Sequence, residues 1–157
     1  MHFEYLRPIP WHPTFSWLRT SIDAADQINS FHLDYPERVC STIFALEKVE
    51  VENVITNSQL RVIHRFIFSD QPFAGKWRDV DVTVGRHRPP VAEAVDGLML
   101  KLESIHTIMD VKTLTEWYWN FETIHPFQDG NGRVGGVIVA AYSHSLHPDR
   151  GWLTVEQ

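Results

Sequence analysis

A mainly α-helical, single-domain fold is predicted by three features of the sequence. Apolar residues recur at helical spacing in several separate stretches, and only one short run alternates at period two. A length of 157 residues with 43% apolar content is also enough to fill one core.

The elements follow in order. The first thirty residues, with Pro8, Pro10 and Pro13, read as an irregular arm leading to a helix around residues 17 to 28. In DYPERVCSTIFALEKV, Asp34 stands three residues before Glu37, with Pro36 in the first turn. That pattern predicts a helix starting at Asp34 and burying Val39, Ile43, Leu46 and Val49. Cys40 falls on its apolar side and reads as a small buried hydrophobe. NSQLRVIHRFIFSD repeats the helical pattern through Leu60 and Ile63, and VAEAVDGLMLKLESIHTIM repeats it through Val95, Leu98, Leu102 and Ile105. Between these two helices, WRDVDVTVGRHRPP alternates Val80, Val82 and Val84 with Asp79, Asp81 and Thr83 and closes on Gly85, which predicts a short strand, half of a hairpin. Thr113 and Glu116 offer a capping box for LTEWYWNFETIH, whose Trp117 and Trp119 are assigned to core and rim.

Charge and cysteine content narrow the partners. A formal charge of -6 argues against a protein that neutralises many phosphates along a duplex, so no nucleic acid is expected. A single cysteine cannot form an internal disulfide. MHFEYLRPIPWHP shows neither a basic and apolar leader nor a membrane span, which predicts a cytoplasmic protein with no membrane partner and leaves export into another cell open.

The chemistry concentrates in TIHPFQDGNGRVGG, residues 123 to 136. Pro126 disfavours helical geometry in His125, and the apolar run VIVAAYSHSL starts soon after Arg133, so DGNGR sits at a helix N-terminus. The first amides of a helix have no internal partner and carry the positive end of its dipole, which suits a phosphate. Gly130 and Gly132 allow close approach, and Arg133 adds a planar, permanent charge. Asp129 is a hard oxygen ligand of the kind Mg²⁺ uses together with substrate phosphates, and His125 can accept a hydroxyl proton near neutral pH. Taken alone, DGNGR is ordinary turn chemistry. A calcium loop does not fit, because the alternating oxygen ligands and the twelfth-position glutamate are absent.

HPFQDGNGR resembles the signature of the Fic family, HPFx(D/E)GN(G/K)R, at every fixed position. The likeness runs over roughly residues 56 to 147: FAGKWRDVDVTVGRHRPP is similar to the family's G-x-[YW]-R-x-x-x-V-x-V segment, and WNFETIHPF to its usual lead-in. The resemblance implies a compact Fic-type helical bundle with a short β-hairpin flap. It divides the chain into an N-terminal arm with helices over residues 1–55 and a Fic core over 56–157, within one compact domain. It implies transfer of AMP from ATP to a Ser, Thr or Tyr hydroxyl of a target protein, with Mg²⁺. His125 would be the general base, Asp129 the metal ligand, and Gly130, Asn131, Gly132 and Arg133 the phosphate site. Phe127 would anchor the loop, and Val80, Val82 and Val84 of the flap would hold the target by strand addition. A hairpin that merely covers the core is an equal alternative.

Two departures from the family pattern bear on donor and control. Many AMP-transferring members have a second arginine where this chain has Gly136, a charge-assisted contact of roughly 1.5 to 3 kcal/mol that a diphosphate donor would not miss. Phosphocholine-transferring relatives also lack it. The self-inhibiting pattern (S/T)-x-x-x-E-(G/N) is absent as well, because Ile43 and Lys48 flank Glu47 at the required spacing. That leaves inhibition by a partner in trans open. Alternatives to AMP transfer are another donor (phosphocholine, UMP or phosphate) and a nucleotide-binding module without turnover; Gly132 counts against the phosphorylating Doc type, which usually has Lys there. His144 and His147, spaced i and i+3, read as surface histidines, and Arg86 to Arg88 as a basic turn beside the flap.

Overall fold

Where the small residues fall decides how the elements pack. The structure, a computed structural model, describes residues 6–156; the first five residues of the expected arm lie outside the described residues. Along the chain come β1 (Thr14–Leu18), α1 (Ser21–Asn29), α2 (Val39–Lys48), α3 (Asn57–Ile67), α4 (Ala92–Ile105), α5 (Val111–Ile124), α6 (Asn131–Leu146) and β2 (Trp152–Glu156). Helix α6 is the axis of the bundle and packs against α1, α2, α3, α5 and β2. It is buried from Asn131 to Ser143 apart from Gly132. Glycines make this approach feasible: a Cβ at position 135 would come 2.7 Å from Tyr118 on α5, and one at 136 would come 3.2 Å from Ile28 on α1. One apolar cluster runs through every helix and includes Ile28, Leu46, Leu60, Met99, Trp117 and Val137, so the residues before 55 share a core with those after it.

The helical expectation holds, with corrections at the ends. Residues 14 to 18, expected to be irregular or at the start of a helix, form β1 and pair antiparallel with β2, from Thr14 against Glu156 to Leu18 against Trp152. A partner more than a hundred residues away leaves no local trace. Helix α1 instead starts after Thr20, whose hydroxyl accepts from the Asp23 amide at 3.0 Å. Helix α2 starts at Val39 and not at Asp34, because the Asp34 carboxylate is held by Arg38 and Arg133 and caps nothing. Cys40 is exposed on the first turn of α2, which corrects its assignment to the core. The capping box of α5 is formed by Asp110 and Thr113, three residues earlier than expected. Helix α4 has no cap of its own, and the Asp81 carboxylate accepts from its first amide, that of Ala92, at 2.8 Å.

The flap is slighter than a pair of strands. Val84 and His87 form one antiparallel bridge around Gly85 (φ 57°), and the chain before it bends at residues 79 and 80 and runs through 81 to 83 without a ladder. Trp117 is fully buried and Trp119 half-buried, in core and rim positions. No helix among the described residues is long and apolar enough to cross a membrane.

Candidate active site

Helix α5 stops at His125, which takes the left-handed conformation (φ 54°, ψ 63°) that a side chain rarely adopts. Arg78 holds it there. This arginine is 4% exposed, and its guanidinium donates to the carbonyls of His125 (2.7 Å), Ile124 (3.2 Å), Pro90 (2.5 Å) and Val80 (3.0 Å). Its own amide donates to Pro126 at 2.8 Å. One planar cation thus satisfies carbonyls at the end of α5 and ties them to both ends of the flap. His87, buried in the flap turn, adds a contact between Nε2 and the Thr123 carbonyl at 2.9 Å.

The turn that follows is clamped from beneath. His64 on α3 is fully buried; Nδ1 accepts from the Gly75 amide and Nε2 donates to the Asp129 carbonyl, both at 2.9 Å. That pairing requires the neutral ring, in agreement with burial pushing its pKa down to about 4. The imidazole stacks on Phe127, with centroids 4.0 Å apart, and Phe127 is itself fully buried. Asn131 closes the turn by accepting from the Phe127 amide (2.8 Å) and donating to the Phe127 carbonyl (2.7 Å). Its side chain is therefore committed to the loop, so only its backbone amide can meet a phosphate. Gly130 has φ 89°, and a Cβ there would lie 2.2 Å from the Phe68 ring, so no other residue fits.

Above this turn lies a cleft of about 490 Å³. Its walls are residues 11 to 14 of the arm, His32, Val84, the α5 residues Tyr118, Glu122 and His125, residues 128 to 132, and the end of β2. Among the described residues, the amides of Asn131, Gly132 and Arg133 donate to no protein group, as expected for the first turn of a helix. The Asp129 carboxylate is 60% exposed. His125 is 16% exposed at its side chain; burial pushes its pKa down to about 4, opposed by a hydrogen bond to the Glu122 backbone. The cleft therefore brings together an unpaired set of amides, an open carboxylate and a neutral imidazole. A smaller groove of about 290 Å³ between the end of α2 and α3 is lined by neither His nor Asp.

Arg133 is placed differently from the rest. It is 2% exposed, does not line the cleft, and pairs with Asp34 at 2.7 Å and more loosely with Asp129 at 3.8 Å. Asp34 also accepts from Arg38 at 2.6 Å, and both guanidinium groups lie over the Phe68 ring. Burial acts to raise the Asp34 pKa, but the hydrogen bonds from Arg133 and Arg38 outweigh it and hold the carboxyl below its ordinary value. Gly136 faces Ile28 across the α1 contact, so packing accounts for the missing arginine. Glu47 is exposed on α2. His144 stacks on Trp152 at 4.0 Å, and His147 meets Trp17 edge-on, so both belong to contacts around the sheet.

The sequence reading did not single out His64, Arg78, Glu122 or Asp34 for this site. For His64 a signal existed: it falls on the apolar stripe of its helix, between Leu60 and Ile67, where a polar side chain must find partners. Asp34 lies 99 positions from Arg133, and no local pattern links them.

Comparison with known proteins matches residues 54–143 to the Fic/DOC family. Among solved structures, a Fic domain containing signaling protein from Bacteroides thetaiotaomicron is 22% identical, with a TM-score of 0.58 over 71% of this chain and 48% of that one. A Fic family protein from Desulfovibrio desulfuricans is also 22% identical, with a TM-score of 0.58 over 82% of this chain and 48% of that one. BepC, a VirB-translocated effector from Bartonella tribocorum with bound AMPPNP, is 14% identical, with a TM-score of 0.54 over 71% of this chain and 67% of that one. At these identities the likeness is one of fold, and the chain spans about half the length of the first two proteins.

Proposed function

The chain belongs to the Fic/DOC family, and from that premise we propose that it is a protein nucleotidyltransferase, moving AMP from ATP to a Ser, Thr or Tyr hydroxyl of a target protein. The observation that carries this reading is the single cleft shared by His125, Asp129 and the unpaired first amides of α6. The target oxygen attacks the α-phosphorus, the bond to the β-phosphate breaks, and pyrophosphate leaves. His125 takes the hydroxyl proton; its neutral, buried ring is in the state a base requires. The amides of Asn131, Gly132 and Arg133 receive phosphate oxygens at the positive end of the α6 dipole, while the Arg133 guanidinium stays paired with Asp34.

The exposed Asp129 carboxylate fits a divalent ion, since Mg²⁺ typically takes one or two protein carboxylates and completes its shell with phosphate and water. When bound, Mg²⁺ would offset charge on the phosphates. Target docking is assigned to the flap: among the described residues, the amides of residues 79 to 83 donate to no protein group, which leaves an edge for an added strand.

Donor choice has a second reading. Gly136 is enclosed by α1 and Arg133 is paired with Asp34, so neither position offers a terminal γ-phosphate a free arginine, and a CDP-linked donor such as CDP-choline is the rival. Incubation with labelled ATP, UTP or CDP-choline and a cell lysate tests both readings, with and without EDTA. Label should pass to protein from one donor, fall by about 10²- to 10⁴-fold in His125→Ala, and be lost in EDTA. Undiminished labelling by the alanine variant removes His125 as base, and no label from any donor removes the transferase.

A further inference from the structure

We propose that Glu122 is a positioning residue acting through His125: while the Glu122 backbone holds the ring by a hydrogen bond, its buried carboxyl lies beside Nδ1 and balances the charge when Nε2 accepts a proton. This rests on the reading of His125 as the general base. Glu122 precedes His125 by one turn of α5, is 7% exposed, and places Oε2 4.0 Å from Nδ1. That distance is an ion-pair approach and not a hydrogen bond, and the buried Oε1 has no hydrogen-bond partner among the described residues. Both residues line the cleft. A carboxyl buried among Tyr118, Phe121 and Ile124 with one oxygen unmet is costly for the fold. An apolar side chain would serve the packing better, so a role in the site is the economical account.

The surroundings leave that role to Glu122. Tyr118, one turn earlier on α5, is buried and held protonated, its pKa raised by burial. Arg78, at the base of the flap, and His87, in its turn, disfavour charge on the imidazole, and Asp129, from the turn after α5, favours it. Asp129 is largely open to solvent, where its field is screened. Glu122 is the buried carboxyl at the ring. As the target O–H bond breaks, the proton goes to Nε2 and the ring becomes a cation. An ionised Glu122 beside Nδ1 lowers the energy of that cation, and a protonated Glu122 does not. Burial raises the Glu122 pKa to about 7, whereas that of His125 is lowered to about 4, so near neutrality the glutamate changes charge while the imidazole stays neutral.

Glu122→Gln keeps the shape and removes the charge. The wild-type transfer rate should fall as the pH drops through about 7. In the glutamine variant that acid limb should vanish, and the rate above it should drop by roughly ten- to a hundredfold, less than the 10²- to 10⁴-fold of losing the base. Glu122→Asp, which restores a carboxylate, should bring the limb back. A second measurement needs neither donor nor target: in ¹⁵N-histidine-labelled protein, the His125 ring nitrogens, assigned by their loss in His125→Ala, should shift near pH 7 in the wild type and not in Glu122→Gln. Identical nitrogen titrations in the two proteins overturn the proposal. So does a glutamine variant with the wild-type rate and acid limb. If no donor supports transfer, the transferase reading fails, and the nitrogen titration alone then decides the role of Glu122.

Discussion

The turn that carries Asp129 and the flap that faces it are neighbours built on opposite plans. From Pro126 to Arg133 the turn is tied both from outside and from within: Arg78 holds the Pro126 end, His64 the Asp129 carbonyl, and the turn's own Asn131 the Phe127 backbone. From residue 79 to 88, the flap keeps one bridge, the buried His87 contact, the cap from Asp81 to α4 and the bond from Arg78 to Val80. The difference assigns their tasks. A turn that must present charge and unpaired amides to a phosphate cannot move without losing its geometry. A flap that must receive a chain of variable sequence does better with free main-chain groups than with paired ones.

Arg78 is where the two regions join, so its loss should break the comparison most severely. Arg78→Met keeps much of the packing volume but leaves the carbonyls of Ile124, His125, Pro90 and Val80 without their donor. At about 1 to 3 kcal/mol for each acceptor left buried and unpaired, and with water reaching some of them, a loss of about 4 kcal/mol is expected. For a chain of this length that is a drop of roughly 10 °C in melting temperature. A scanning calorimetry shift below about 2 °C would mean that the left-handed turn at His125 stands without the arginine.

Much of this fold was legible because it is helical. Period and punctuation located α3 and α4 to within a few residues, and the Pro126 break placed the ends of α5 and α6. Strand β1 has no local signature because its hydrogen-bonding partner is β2, at the other end of the chain. Asp34 was misread for a related reason. A local pattern offered it a capping role, but two arginines, one of them from α6, supply a stronger interaction than an amide does. Site residues with exposed chemistry could be read from the turn motif, whereas a titratable residue on an apolar stripe, such as His64 or Glu122, signals only that it must find partners and does not announce what it meets across the core.

His64 tests the rigid half of the comparison through pH. Its folded pKa of about 4 lies below the ordinary 6.5, so its contribution to stability is present above pH 6.5 and is lost as the pH falls toward 4. Linkage puts that loss at about 2 kcal/mol by pH 5. His125 acts in the same direction. Glu122, whose pKa is raised to about 7, acts in the opposite direction and favours the fold as the pH drops from 7 toward 4.5. His64→Phe should cost about 2 kcal/mol at pH 7.5, where the Gly75 amide and Asp129 carbonyl lose their partner. At pH 5 the deficit should nearly disappear. Urea unfolding at the two pH values measures it, and a deficit of equal size at both would show that the ring is not held neutral by its burial.

The smallest effect on stability, and the sharpest test of the open half, comes from a single flap amide. Alternation along an extended chain sends successive N–H groups to opposite edges. The Val84 amide points inward, since it donates to the His87 carbonyl at 3.0 Å, so the Thr83 amide belongs to the outer edge. Thr83 is exposed, and its amide has no partner among the described residues. Thr83→Pro removes that donor, and Thr83→Ala removes the side chain while keeping it. Neither should change stability by more than about 0.5 kcal/mol, the usual range for surface positions, and a larger loss in the proline variant would expose a backbone the ring cannot adopt. Nucleotide binding should be unchanged in both, because the phosphate amides lie on α6. Transfer of label to protein should fall about tenfold in the proline variant only, the worth of one hydrogen bond of about 1.5 kcal/mol between flap and target. Equal transfer by proline and alanine variants would show that the target is held by side chains alone and that the flap, though unpaired, receives no strand on this edge.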